Sequence, residues 1–130
     1  MARVTKAAFA GTASARPPAG PYSPAIRAGE FVFVSGQLPV DPTTGVMREG
    51  DIESQTAQVL DNLAGVLEAA GSSLEKLVKT TVYLLSRSEW EAMNRVYAKY
   101  VGAVPPARCA VVVPEMAPGA RVEIDAIAHV

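Results

Sequence analysis

The sequence predicts an α+β domain in which a mixed β-sheet carries two helices packed on one face. Three observations support this class: the length of 130 residues, a succession of β-forming and helical segments, and a C-terminal segment that alternates strictly in side-chain character. Domains of about 100–150 residues are the commonest and have one hydrophobic core. We therefore expect one domain over residues 1–130, with residues 1–17 forming an N-terminal strand or loop.

The N-terminal third contains a loop followed by strands. Residues 11–24 hold four prolines among Gly, Ser and Ala, which excludes a helix or a central strand and predicts a loop. We expect one or two strands before residue 31, one of them at residues 25–27. Residues 31–35 are an uninterrupted β-forming run between two glycines, typical of a strand in the middle of a sheet and covered on both faces. Residues 41–45 predict a turn.

The middle of the chain contains two helices separated by a strand. Apolar residues between residues 52 and 70 recur every three or four positions, which predicts a helix, and Gly71 is a natural C-terminal cap. Residues 78–85 predict a strand, so strand, helix and strand form a crossover unit whose strands should be parallel. Residues 88–91 resemble a capping box that opens the second helix. The apolar stripe of this helix is Trp90, Met93, Tyr97 and Tyr100.

The C-terminal part predicts two further strands. Residues 108–113 form a β-forming run that Pro114 ends. In the last segment, one face would hold Val122, Ile124, Ala126, Ala128 and Val130, and the other Arg121, Glu123, Asp125, Ile127 and His129. With both helices on one sheet face, the opposite face would be uncovered in a single copy. A hydrophobic fraction of 49% agrees with a subunit interface there.

Composition excludes several classes of function. The net charge of −1 and the absence of a basic run argue against a nucleic-acid partner. One His and one Cys do not make a zinc site or an oriented Cys–His pair without help from acidic residues or other subunits, and no phosphate-binding loop occurs, so we expect no metal and no cofactor. Lys6 interrupts the only apolar N-terminal run, and no segment reaches the roughly 20 apolar residues of a membrane helix, which predicts a cytoplasmic protein.

Two charged residues are candidates for chemistry. Arg108 follows Pro105 and Pro106, whose restricted backbone would hold the guanidinium in one direction to bind a carboxylate with two parallel hydrogen bonds. A surface arginine at a strand edge is the alternative. Glu123 stands between two apolar residues in a strand and could activate a water. Its alternatives are solvent exposure on the sheet or a salt bridge to Arg121 or Lys79.

Other polar residues have weaker functional interpretations. Tyr22 lines a pocket or anchors its Pro-rich loop, and Ser35 places a hydroxyl in a site or ends a strand. Asn94 contributes to a site or is a satisfied boundary amide. Cys109 is interpreted as an inert buried thiol, and His129 as a surface residue.

Six segments occur in the order found in one known family. They are Gly20-Pro21-Tyr22-Ser23, Val34-Ser35-Gly36-Gln37-Leu38-Pro39-Val40, residues 62–71, Val78-Lys79-Thr80-Thr81-Val82, Pro106-Ala107-Arg108 and Val122-Glu123-Ile124-Asp125-Ala126-Ile127-Ala128. Over about residues 18–130 the chain resembles the RidA/YjgF family, also labelled endoribonuclease L-PSP or translation inhibitor. The resemblance implies a chorismate-mutase-like fold and a homotrimer whose sheets form a central barrel, with clefts between neighbouring subunits.

The resemblance also implies an activity and a set of site residues. RidA proteins hydrolyse 2-imino acids, such as 2-iminobutanoate and 2-iminopropanoate, to 2-keto acids and ammonia without a metal or cofactor. Arg108 matches the arginine that binds the substrate carboxylate, and Glu123 matches the glutamate that positions the attacking water. The positions that match pocket residues, or backbone near the ligand, are Tyr22, Ser35, Gly36 and Asn94.

One position departs from the family pattern. RidA proteins often have Cys two residues after the arginine, where this chain has Ala110, while Cys109 turns to the other face of the strand. If the contribution of this position to the substrate site is a backbone carbonyl, Ala110 keeps it, whereas a contribution of the thiol would be lost. Two other functions stay open: a regulatory module that binds a small carboxylate, and an endoribonuclease or translation-inhibitor activity. Deamination of a related enamine belongs to the same chemical class as imine hydrolysis.

Overall fold

The computed structural model describes residues 7–9 and 20–130. Its elements in chain order are β1 (Ala7–Phe9), β2 (Ala25–Ala28), β3 (Phe31–Gln37), α1 (Ile52–Ala69), β4 (Leu77–Leu84), α2 (Trp90–Tyr100), β5 (Ala107–Val112) and β6 (Val122–His129). Each predicted helix and strand is present within about two residues. Of the predicted loop at residues 11–24, residues 11–19 lie outside the described residues, as does most of the N-terminal segment 1–17.

The described strands form one mixed sheet in the order β1-β2-β3-β6-β4-β5. The C-terminal strand β6 lies between β3 and β4 and is antiparallel to both, while β4 and β5 are parallel. The two strands of the predicted crossover, β3 and β4, therefore run in the same direction, as expected. They do not pair with each other, because β6 occupies the gap between them.

Both helices cover one face of this sheet and enclose the core. The core combines the apolar stripe of α1 with the inward-facing residues of the central strands, and its fully buried members are Val32, Val59, Leu60, Leu63, Leu67, Val82, Leu84, Met93, Val122, Ile124 and Ala128. Gly71, with a φ of 83°, follows the last turn of α1 as predicted. No described helix combines the length and the apolar character that crossing a membrane requires.

The opposite face of the sheet is open in the single chain, as the sequence predicts. Phe31 and Phe33 of β3 are each 45% exposed on this face, and Val111 of β5 is 43% exposed. The expectation that β3 is covered on both faces is therefore wrong for one copy. Both helices pack on the other side, so only the alternate residues Val32 and Val34 of β3 are buried.

The start of α2 differs from the predicted capping box. Residues 87–89 form a short 3₁₀ turn, and the Ser86 side chain accepts a hydrogen bond from the Ser88 backbone amide. Glu89 is the N-cap of α2 and its side chain makes no capping bond, because its carboxylate binds Arg121 instead. The predicted box does not form because Ser88, its expected N-cap, lies inside this turn, where its hydroxyl oxygen is also 2.8 Å from the Ser86 hydroxyl oxygen.

A buried amide joins α1 to two loops. Gln55 is 1% exposed, and its Nε2 donates to the carbonyl oxygens of Arg48 and Gly119 at 3.0 and 2.8 Å. Its Oε1 accepts from the Arg121 backbone amide at 2.7 Å. These bonds satisfy backbone groups that lie outside regular strands, and they fix the segment that enters β6.

Candidate active site

Arg108 occupies the second position of β5 and faces the helix layer. It pairs in register with Thr80 of β4, which is fully buried beneath the helices. The Arg108 Nη1 donates to Asn94 Oδ1 of α2 at 2.8 Å, and the guanidinium carbon lies 4.8 Å from the centre of the Tyr97 ring. Within the described residues the Nε and Nη2 groups have no acceptor. The edge formed by these two donors has the geometry that binds a carboxylate.

Arg108, Asn94 and Tyr97 form what we call the arginine half-site. It opens into a groove of about 370 Å³ between α2 and the start of β5. Pro105 and Pro106 line the same groove and restrict the backbone just before Arg108. The groove is thus mostly apolar, with one cation at its wall, which suits a small carboxylate with an apolar body.

Ala110 lies two residues beyond Arg108, and its side chain is on the same face of β5. The N–H and C=O groups of Ala110 point away from the neighbouring strand β4. The amide of Val113 donates to the Leu84 carbonyl of β4 at 2.9 Å. Since backbone groups of successive residues in a strand point alternately to either side, the N–H and C=O of Ala110 point outward from the edge strand. Cys109 has the opposite orientation and is exposed on the open face, so its interpretation as a buried thiol is wrong.

Glu123 lies on the open face, beside a bulge in β3. The register of β3 with β6 changes between Val34, which pairs with Ala126, and Gln37, which pairs with Ile124. The extra residue brings Gly36 against Glu123, and a Cβ on Gly36 would lie only 2.9 Å from the Glu123 carboxyl carbon. The absence of a side chain at Gly36 therefore makes room for this carboxylate.

The surroundings of Glu123 disfavour its charge. Burial, and then the neighbouring carboxylate of Asp125, raise the pKa of Glu123 above its usual value. Asp125 itself accepts a hydrogen bond from the Tyr83 hydroxyl at 3.0 Å. Arg121, one of the two predicted salt-bridge partners, binds Glu89 at 2.6 Å instead. A carboxylate with a raised pKa and no cation bound to it within the described residues is suited to exchanging a proton.

Ser35 and Tyr22 lie where the 20–24 loop passes the end of β3. The Ser35 hydroxyl donates to the Ser23 carbonyl at 2.7 Å, and the Ser35 amide donates to the Pro24 carbonyl at 2.9 Å. These bonds hold the loop against β3, and Tyr22, one residue before Ser23, is 54% exposed. We call Tyr22, Ser35, Gly36 and Glu123 the carboxylate half-site.

Within one chain the two half-sites lie on opposite faces of the sheet. Arg108 shares the helix face with Thr80, whereas Glu123 pairs with Tyr83 on the open face. Arg108 and Glu123 of the same chain therefore do not act on one small molecule. His129 is exposed, and no group of three or more potential metal-binding His, Cys, Asp or Glu side chains occurs in residues 7–9 and 20–130.

The sequence interpretation did not assign Tyr97 to the site. Its position in the apolar stripe of α2 indicates a core residue, and it is only 6% exposed. One feature of the sequence does link Tyr97 to the site. Tyr97 lies three residues after Asn94, and residues i and i+3 lie on one side of a helix. Tyr83 and Asp125 were likewise not predicted to pair.

Comparison with known proteins identifies the family. The endoribonuclease L-PSP family model matches residues 12–130. A RutC family protein of Pyrococcus horikoshii is 50% identical over 118 residues, which are 91% of this chain and 94% of the relative. Reactive Intermediate Deaminase A, chloroplastic, of Arabidopsis thaliana is 41% identical over 84% of this chain and 58% of the relative.

The same relationship holds in three dimensions. The crystal structure of E. coli TdcF with bound serine superimposes with a TM-score of 0.87 at 32% identity, covering 94% of this chain and 98% of TdcF. Two helices on one face of a mixed sheet are thus the fold of the relatives as well, and the predicted fold class is confirmed. The chain therefore belongs to the endoribonuclease L-PSP family, the RidA-containing family that its six sequence motifs predicted.

Proposed function

We propose that this protein hydrolyses 2-imino acids, including 2-iminobutanoate and 2-iminopropanoate, to 2-keto acids and ammonia. The observation that carries the proposal is the Nε and Nη2 edge of Arg108, which has no acceptor in residues 7–9 and 20–130, since a guanidinium edge binds a carboxylate with two charged hydrogen bonds. The relative named Reactive Intermediate Deaminase A supports the same class of reaction. We expect the reaction to need no metal or cofactor.

The proposed site forms between two copies of the chain. The two half-sites are on opposite sheet faces, so the arginine half-site of one copy would combine with the carboxylate half-site of its neighbour. The open face, with Phe31, Phe33 and Val111 exposed, provides the apolar surface for such an assembly. A closed homotrimer, as the family resemblance implies, would make three equivalent sites.

In the proposed reaction Arg108 binds the substrate carboxylate and orients the imine carbon. Glu123 holds a water molecule at that carbon and takes a proton from it as the C–O bond forms. Glu123 returns the proton to the nitrogen, and the C–N bond breaks to release ammonia. The hydroxyl gives its proton to Glu123 as the carbonyl forms, and ammonia takes up this proton. A protonated imine and water thus give the keto acid and ammonium. The raised pKa of Glu123 suits a group that accepts and returns a proton.

A small-carboxylate-binding module is the second candidate function. It is favoured by the bound serine in the TdcF structure, because serine also carries a carboxylate. The arginine half-site would serve binding alone as well as it serves catalysis.

Ammonia release from enzymatically generated 2-iminobutanoate separates the two candidates. We expect the wild type to accelerate hydrolysis, measured as loss of semicarbazide trapping. Arg108→Lys keeps the charge but loses the second hydrogen bond, so kcat/KM should fall at least tenfold. Glu123→Gln should lower kcat while 2-oxobutanoate still binds.

Two exposed residues provide matched controls. Arg95 and Glu53 bind each other at 2.9 Å on the helix surface, so Arg95→Lys and Glu53→Gln make the same chemical changes outside the half-sites. Both variants should retain wild-type activity. If the wild type binds 2-oxobutanoate without accelerating imine hydrolysis, the binding-module function replaces the enzymatic one.

A further inference from the structure

Tyr97 connects Arg108 to the buried part of the sheet. Its hydroxyl lies 2.7 Å from the hydroxyl oxygen of Thr80, and both residues are buried. Thr80 is also the residue that pairs with Arg108 across β4 and β5. The Tyr97 hydroxyl is thus hydrogen-bonded to a residue of the strand beside Arg108, and the centre of the Tyr97 ring lies 4.8 Å from the guanidinium carbon.

The ring and Asn94 restrict different motions of the same guanidinium. An aromatic face attracts a cation electrostatically and favours contact with it, which limits movement of the guanidinium away from the ring. The hydrogen bond from Nη1 to Asn94 limits rotation about the end of the side chain. Together they keep the Nε and Nη2 edge pointing in one direction before a ligand arrives, which lowers the entropy lost on binding.

We propose that Tyr97 is a positioning residue, whose ring holds the Arg108 guanidinium in the orientation that binds a carboxylate. The inference rests on the proposed function, since it assumes that the Nε and Nη2 edge of Arg108 meets the carboxylate of a 2-imino or 2-keto acid. Tyr97 itself acts through Arg108 and does not need to contact the reacting atoms.

Affinity for 2-oxobutanoate, measured by titration calorimetry on the full chain, tests the proposal without catalysis. Tyr97→Leu removes the aromatic face and should weaken binding about tenfold, within the range of a cation–π contact shielded from water. Tyr97→Phe keeps the ring and loses only the bond to Thr80, so its affinity should stay close to that of the wild type. An equal loss in both variants would contradict the role given to the ring.

Tyr100 provides the matched control on the same helix. It is partly buried, and its hydroxyl donates to Asp61 at 3.0 Å, so Tyr100→Leu removes a comparable ring without touching Arg108. If Tyr100→Leu weakens binding as much as Tyr97→Leu, the loss reflects general damage to α2 and the proposal is wrong. In an Arg108→Lys background the effect of Tyr97→Leu should largely disappear, because coupled residues are not additive.

The NMR signal of the Arg108 Nε–H group makes the test independent of the proposed function. Assigned by its absence in Arg108→Lys, this signal should be shifted by the ring of Tyr97 in the wild type, lose that shift in Tyr97→Leu and keep it in Tyr100→Leu. If the wild-type Nε–H signal lies at the position of free arginine, the inference is wrong, and this measurement requires no variant of Tyr97. Failure of imine hydrolysis with this shift present would contradict only the proposed function.

Discussion

Gly36→Ala is expected to displace the Glu123 carboxylate while leaving the arginine half-site intact. A methyl group at residue 36 would lie 2.9 Å from the carboxyl carbon and 3.2 Å from Cγ of Glu123, and it would overlap the oxygen Oε1. Carbon atoms in contact prefer separations of about 3.5–4.0 Å, so the carboxylate would move by roughly 1 Å. The backbone of Gly36 has no positive φ, so alanine itself fits the local conformation.

A displacement of that size should affect catalysis far more than binding. Misplacing a catalytic group by about 1 Å costs on the order of 10²-fold in rate, so we expect kcat for 2-iminobutanoate to fall about 100-fold. Affinity for 2-oxobutanoate should stay within about threefold of the wild type if Arg108 supplies most of the binding energy. Ammonia release and titration calorimetry measure the two quantities separately.

Gly20→Ala is the control for this variant. Its added methyl would meet Tyr22 at an ordinary contact distance of 3.5 Å, and we expect activity close to wild type. Glu123→Asp shortens the side chain, so the further loss caused by Gly36→Ala should be smaller in that background. Wild-type kcat in Gly36→Ala, with Gly20→Ala also unchanged, would refute the role given to the contact between Gly36 and Glu123.

Three other outcomes are expected. Activity should be lost as pH falls through the raised pKa of Glu123, because the protonated carboxyl no longer accepts a proton from water. Asp125 contributes to the raised pKa, so Asp125→Asn should move the acid limb of the kcat/KM profile to lower pH. Gln55→Ala removes three buried hydrogen bonds worth about 1 kcal/mol each, so urea unfolding should show a loss of roughly 3 kcal/mol. Phe33→Glu places a charge on the open face and should reduce the mass measured by light scattering to that of one chain.

Each of these outcomes has a control or a contradicting result. Asp61→Asn changes a carboxylate that binds Tyr100 rather than facing Glu123, and it should leave the pH profile unchanged. A loss below about 1 kcal/mol in Gln55→Ala would mean that water replaces the lost bonds. Val104→Glu charges a valine that is 85% exposed in a loop, and it should keep the wild-type mass. A wild-type mass of one chain would contradict the shared site.

Local patterns in the sequence predicted the elements well because each depends on neighbouring residues. The spacing of three and four in α1 and the strict alternation in β6 follow from backbone geometry, and both match the observed burial. The turn at residues 41–45 is present, with the Gly45 amide donating to the Asp41 carbonyl at 2.7 Å and a Gly45 φ of 73°. The six motifs also predicted the family, which the comparisons confirm.

The candidate site could be predicted only residue by residue. Arg108, Asn94 and Glu123 were each selected for their chemistry, and their catalytic roles stay predictions. Their distribution over two sheet faces depends on strand pairing and on the bulge in β3, which join residues distant in sequence. The contact of Arg108 with Tyr97 was not predicted, because a tyrosine at a buried helix position has the same sequence pattern whether it packs against leucine or a guanidinium.

The amino-acid sequence was thus sufficient to predict the helices, the strands, the alternation of side chains along α1 and β6, and the family. The tertiary structure alone decided that β6 separates β3 from β4, that Gly36 lies against Glu123, and that Tyr97 supports Arg108. Periodicity and turn chemistry act between near neighbours in the chain, whereas these contacts depend on how separate helices and strands pack against one another.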